Sequence, residues 1–210
     1  MSLRILLADD HPIVRQGLKV LLEREGFTVV GEASDGREAV RLTQECGPDI
    51  ALLDLTMPML NGIDAGRAIL QTSPKTKIIL LTMHAEDHHV LEALRAGFKG
   101  YVLKTKAAEE LVQAIQEVSR GKLYLTPGVS EAVVQAYLAK SELPPELLSL
   151  REREVLQLIA EGKTTKEVAV VLGISAKTAE SHRTRIMGKL NIHETASLVR
   201  YAIRRGLIKA

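Results

Sequence analysis

A chain of 210 residues exceeds the usual size of one domain, and 46% hydrophobic residues let each half bury its own core. The formal net charge of +2 hides an asymmetry: residues 1–121 carry 14 Lys/Arg against 17 Asp/Glu, and residues 122–210 carry 14 against 9, so the second half suits a polyanion. The single cysteine, Cys46, excludes disulfides within the chain and cysteine-rich zinc sites, and with no apolar stretch of membrane-spanning length and no signal-like opening, a cytoplasmic protein without a membrane partner is expected.

Apolar runs predict strands near residues 3–8, 28–32, 49–54, 77–82 and 100–103. Helical periodicity fills the gaps near 12–25, 36–45, 62–71, 86–96 and 107–120. Pro12, Pro58 and Pro74 mark loops or first turns, and Gly26, Gly47 and Gly97 follow helical patterns as caps would. Strands alternating with helices imply a parallel sheet covered on both faces, with ligands bound where the strands end. Asp9 and Asp10 follow RILLA, and Asp54 follows DIALL, so three carboxylates converge there. Crowded carboxylates repel, and a hard divalent cation such as Mg2+ counters the repulsion, leaving one carboxylate to attack phosphorus. Thr82 ends the apolar part of KIILLTMH and Lys104 closes GYVLK; a hydroxyl and an ammonium at those ends could bind phosphoryl oxygens.

Asp9-Asp10, Asp54, Thr82 and Lys104, with Asp35-Gly36, Met57-Pro58 and Asn61-Gly62 between them, resemble the receiver domain of response regulators. That resemblance implies a flavodoxin-like (βα)5 α/β fold over residues 1–121, with strand order 2-1-3-4-5. It makes Asp54 the acceptor of a phosphoryl group from a sensor histidine kinase. Asp10, Asp54 and the backbone carbonyl of Thr56 become Mg2+ ligands, with Asp9 acting through water. Thr82 grips the phosphoryl oxygens, Lys104 bridges to them, and Thr82 with Tyr101 forms the switch. Thr56 and His84, two residues beyond Asp54 and Thr82, tune dephosphorylation. The expected activity is stoichiometric phosphoacceptance with at most slow autodephosphorylation, not enzymatic turnover. A Mg2+-dependent phosphohydrolase using an aspartyl phosphate is the competing reading; it needs an acidic residue two positions after its nucleophile, where Thr56 stands after Asp54 and His11 after Asp9. His88 and His89 are adjacent, point in different directions on a helix, and have no zinc-like spacing.

Residues 122–146 form the expected linker: TPGVSEAVVQAYLAK reads as an amphipathic helix and SELPPE as a break. From 147 to 210 the chain reads as helices only. LSLREREVLQLIAEG begins with Ser149 and Glu152 at capping-box spacing, KTTKEVAVVLGI ends at Gly173, Ser175 caps the helix that follows, and HETASLVRYAIRRGLI closes the chain. Two helices joined through Gly173, the second rich in basic residues, match a helix-turn-helix. LSLREREVL, GKTTKEVAVVLGIS and KTAESHRTRIMGKL resemble the LuxR-type output domain, and its combination with a receiver resembles the NarL/FixJ class. Thr165 stands where Asn is common, and Ala179 where Val is usual.

The resemblance implies a transcription regulator that binds double-stranded promoter DNA, as a homodimer linked to phosphorylation. Glu180, Ser181 and Thr184 are candidates for base edges; Lys177, Thr178, Arg183, Arg185 and Lys189 are candidates for phosphates. Ile174, Ile186, Met187 and Leu190 recur at core spacing, and His182 either touches phosphate or packs inside. The last helix offers Leu198, Val199, Ala202 and Ile203 as an apolar stripe, with Val199 and Ala202 as the interface candidates. A module that binds RNA or protein is the other alternative, disfavoured by the shortage of aromatic residues for base stacking.

Overall fold

The computed structural model describes residues 2–83, 87–127, 129, 133 and 147–209, without the side chains of 87–88 and 107–109. Strands β1 (Arg4–Ala8), β2 (Thr28–Ala33), β3 (Ile50–Asp54), β4 (Lys77–Thr82) and β5 (Gly100–Leu103) alternate with helices α1 (Pro12–Arg24), α2 (Gly36–Cys46), α3 (Gly62–Thr72), α4 (Asp87–Arg95) and α5 (Ala107–Ser119). All strand pairs are parallel, in the order β2-β1-β3-β4-β5, as expected for a flavodoxin-like receiver. A sixth strand, β6 (Tyr124–Leu125), pairs with β5 at the sheet edge. It lies in the stretch expected as linker. Two residues are too few to show a period of two, so the sequence pattern carried no sign of it. The linker helix expected from TPGVSEAVVQAYLAK lies outside the described residues.

Burial explains the unbroken apolar runs. Ile5 and Leu7, Ile50 and Leu52, Ile79 and Leu81, and Val102 meet Leu18 and Leu22 of α1 and Leu111, Ile115 and Val118 of α5. Their alternates Leu6, Ala51, Leu53, Leu80 and Tyr101 point to the opposite face and are buried too. A strand covered on both faces has no solvent side on which to place polar residues.

Local signals set the helix starts. Asp35 accepts hydrogen bonds from Arg37 N and Glu38 N to cap α2, and Asn61 accepts from Ile63 N and Asp64 N to cap α3. Pro12 opens α1, where a missing N–H costs nothing.

The chain divides into two compact units, and the second contains α6 (Leu150–Ala160), α7 (Thr165–Leu172), α8 (Ala176–Leu190) and α9 (Thr195–Arg204). Capping boxes open both α6 (Ser149 with Glu152) and α7 (Thr164 with Glu167). Gly173 ends α7 in the left-handed region at φ 63°, and Ser175 caps α8 two residues later, giving the tight turn between the two helices. The core joins Val155 and Leu158 to Val168, Leu172, Ala179, Ile186, Leu198 and Ala202. Ala202 is 0% exposed, so this residue, expected at an interface, packs within its own domain; Val199 is half-buried.

Candidate functional site

The end of β1 carries Asp9, β3 ends in Asp54, β4 ends in Thr82, and Lys104 follows β5. Parallel pairing therefore brings all four to one edge of the sheet, where Asp9 and Thr82 are buried and Asp54 nearly so. Lys104 Nζ lies 2.7 Å from Asp9 Oδ2 and 2.9 Å from Asp54 Oδ2, bridging carboxylates from two strands. Burial alone would lower its pKa. The charge of Asp54 and hydrogen bonds to Asp9 and Asp54 outweigh that, and the Lys104 pKa is raised above the ordinary lysine value.

Carboxylate oxygens of Asp9, Asp10 and Asp54 and a ring nitrogen of His11 all lie within 4.8 Å of one another. Three carboxylates without a thiolate form a donor set that fits a hard divalent cation such as Mg2+. Thr56 is buried just beyond Asp54, and Tyr101 is 1% exposed on β5, in register with Leu80. His84, and the side chain of His88, lie outside the described residues, whereas His89 is buried in α4.

The loop after Asp54 folds back over the strand end. Gly62 N donates to Leu55 O at 2.8 Å, and a Cβ on Gly62 would sit 2.0 Å from the Asp54 carbonyl oxygen. Only glycine lets α3 start this close to the strand carrying Asp54. Two further residues hold the acidic pair, and the sequence reading gave them no role. His11 N donates to Asp9 Oδ1 at 2.8 Å while its Nδ1 lies 2.8 Å from Asp10 Oδ1, and an Arg15 guanidinium nitrogen donates to Asp9 O at 2.6 Å. The signal was available, since His11 adjoins the pair and Arg15 lies one helical turn further on.

In the second unit, α8 exposes Lys177, Thr178, Glu180, Thr184 and Arg185, half-buries Ser181 and Arg183, and turns Ala179 and Ile186 into the core. Ile174, Met187 and Leu190 pack against that core as their spacing predicts. The basic residues are not equivalent. Lys189 Nζ lies 2.7 Å from Glu152 Oε2, so the ammonium expected on a phosphate is already paired with the cap of α6. Arg183 donates to Thr195 Oγ1 at 3.2 Å and lies 4.0 Å from Glu180, tying α8 to the start of α9. Among the described residues, no carboxylate forms an ion pair with Lys177 or Arg185. His182 is half-buried, and its Nδ1 is inaccessible with no hydrogen-bond partner among the described residues, which favours packing over phosphate contact.

Residues 5–116 match the family described as response regulator receiver domain, and residues 146–202 match bacterial regulatory proteins of the luxR family. The chain belongs to the response regulators that join a receiver to a LuxR-type helix-turn-helix domain, the NarL/FixJ class. It is 41% identical to the transcriptional regulatory protein LiaR of Bacillus subtilis (strain 168), with 98% of this chain and 99% of that protein covered. It is 38% identical to the oxygen regulatory protein NreC of Staphylococcus carnosus (strain TM300), covering 98% of this chain and 99% of that protein. Among solved structures, an RcsB response regulator of Salmonella typhimurium matches with a TM-score of 0.65 at 31% identity, over 95% of this chain and 96% of that one. A complex of RcsB with DNA matches with a TM-score of 0.62 at 31% identity, over 96% and 98%. The family is one of transcription regulators, not of classical enzymes. Among the described residues, no helix is long and apolar enough to cross a membrane.

Proposed function

We propose that this protein is a cytoplasmic, phosphorylation-switched transcription regulator in which Asp54 accepts a phosphoryl group from a sensor histidine kinase and α8 enters the major groove of promoter DNA. The observation that carries the reading is the Lys104 bridge between Asp9 and Asp54 at converging strand ends. Asp54 Oδ attacks phosphorus, the P–N bond of the phosphohistidine breaks, the imidazole leaves with a proton, and an acyl phosphate forms on Asp54. Lys104 exchanges part of its pairing with Asp54 for a phosphoryl oxygen, and the Thr82 hydroxyl binds another. Asp10, Asp54 and the Thr56 carbonyl would hold Mg2+, with Asp9 acting through water; when bound there, the cation would supply positive charge to offset that gathering on the transferring group. Thr56 and His84 control water access to the acyl phosphate, which makes autodephosphorylation slow. Tyr101 follows Thr82 as the switch.

Glu180, Ser181 and Thr184 are assigned to base edges, and Lys177, Thr178, Arg183 and Arg185 to phosphates. Lys189 contributes chiefly through its partner Glu152. The solved RcsB complex with DNA, at 31% identity over most of both chains, supports DNA as the partner, and a homodimer linked to phosphorylation fits a two-fold site. The domain limits proposed are 1–121, 122–146 and 147–210, with β6 carrying the receiver sheet into the middle segment.

The test is labelling with a small acyl phosphate and Mg2+. One hydroxylamine-sensitive phosphoryl group should appear per chain and vanish in Asp54→Asn. Undiminished labelling of that variant would overturn the assignment, and steady phosphate release would revive the phosphohydrolase.

A further inference from the structure

The edge strand β6 is bonded to β5 along the stretch that leads into Lys104. Tyr124 N donates to Lys99 O at 2.9 Å, and Thr126 N donates to Tyr101 O at 3.0 Å. The next rung is not a backbone pair. Leu103 N donates instead to the Thr126 hydroxyl at 3.2 Å, and Thr126 is 1% exposed. Thr126 therefore grips β5 twice, at the carbonyl of Tyr101 and at the amide that precedes Lys104. A valine of the same shape would keep the backbone bond and the packing but offer the half-buried Leu103 amide no acceptor, and an amide shielded from water without an acceptor costs stability. Thr126 also directly follows β6, the last strand in chain order before the second unit.

We infer that Thr126 is a positioning residue that couples the Tyr101–Lys104 end of β5 to the chain leading toward the helix-turn-helix domain. When a phosphoryl group on Asp54 draws Lys104 and Tyr101 to new positions, the Leu103 amide and the Tyr101 carbonyl move with them. Their shared partner is Thr126, so the displacement reaches the departing chain through two hydrogen bonds. This inference rests on Asp54 being the phosphoacceptor.

The experiment uses the full chain as wild type, Thr126→Val and Thr126→Ser, each taken to complete labelling with a small acyl phosphate and Mg2+. Affinity is measured, with and without labelling, for a duplex selected from genomic fragments by the phosphorylated wild-type protein. Thr126→Val should still label on Asp54, yet its gain in DNA affinity should fall about fivefold, the equivalent of one ordinary hydrogen bond. Thr126→Ser, which keeps the hydroxyl, should retain the gain. A wild-type gain in Thr126→Val, or an equal loss in Thr126→Ser, overturns the coupling. Because Thr126→Val could fail to fold, amide exchange at Leu103 and Thr126 in the wild type gives a second measure. Their protection should change on labelling, and identical protection in both states overturns the inference. Failure of wild-type Asp54 to label overturns the phosphoacceptor reading and this inference together, whereas labelling with an unaltered Thr126→Val gain removes this inference alone.

Discussion

At Lys104 the structure shows a bridge between two carboxylates, and the chemical role proposed for it can be tested apart from that bridge. Its ammonium is the cation that Asp9 and Asp54 share within the protein, and the raised pKa keeps it charged across the physiological range. Lys104→Met keeps the stem but leaves buried Asp9 facing Asp54 without that charge. Breaking a buried pair on one side costs about 3 kcal/mol, so urea unfolding without divalent cations should shift by that amount, and added Mg2+ should recover part of it. Asp54 labelling should slow as well. An unchanged urea midpoint would mean that Lys104 does not hold the carboxylates together. Asp10→Ala should do the reverse, since removing a crowded carboxylate relieves repulsion: Mg2+ affinity, measured by calorimetry, should fall far more than thermal stability. Asp9, Asp54, Thr82 and Lys104 were legible in sequence because each closes an apolar run, and parallel strands place such ends together. The partners of those residues were less legible, since His11 and Arg15 act through a backbone turn and a helix start that hydropathy does not encode.

At the scale of elements, the start of α3 and the start of α6 are both held by contacts that charge or hydropathy alone misreads. Gly62→Ala places a Cβ 2.0 Å from the Asp54 carbonyl, so the loop and α3 must move. Asp54 labelling and thermal stability should fall together, and an alanine variant with normal labelling would refute this close approach. At α6, Glu152 closes a cap with Ser149 and pairs with Lys189 of α8. Burial pushes the Glu152 carboxyl up, but hydrogen bonds from Lys189 and Ser149 more than reverse it, leaving its pKa below the usual value. A depressed folded-state pKa contributes stability that is complete above the unfolded carboxylate range and is lost as pH falls through the folded value. Lys189→Ala should therefore move acid unfolding of the second unit to higher pH and cost about 1 kcal/mol or less near neutrality. It should leave the salt dependence of DNA binding intact, whereas Arg185→Ala should reduce that slope by about one. The sequence lists both as basic residues on one helix and cannot say which already has a partner. The capping box of Ser149 and Glu152, by contrast, was readable from spacing alone because it is local, and β6 was not, because its strand character comes wholly from β5.

At the scale of the whole molecule, the two halves carry opposite charge, 14 Lys/Arg against 17 Asp/Glu over residues 1–121 and 14 against 9 beyond, so affinity for DNA belongs to the second. One recognition helix, on which Lys177 and Arg185 form no ion pair with a carboxylate among the described residues, reaches with these and a few polar residues only a short half-site. Useful specificity then requires two copies about a dyad, with half-sites about one helical turn apart. Burial narrows the surface that could pair them: Leu198 and Ala202 are consumed by their own core, and Val199 remains half-buried on α9. Val199→Glu should preserve Asp54 labelling and the fold while weakening binding to a duplex with two half-sites. The phase of the helix gives a sharper measure. Inserting about half a turn of DNA between half-sites rotates them to opposite faces and should abolish the gain from the second site, whereas a full turn should restore part of it. Sedimentation of the phosphorylated protein on each duplex reads the stoichiometry directly. Equal affinity at every spacing, with one protein per duplex, would defeat the dimer while leaving DNA binding by α8 in place.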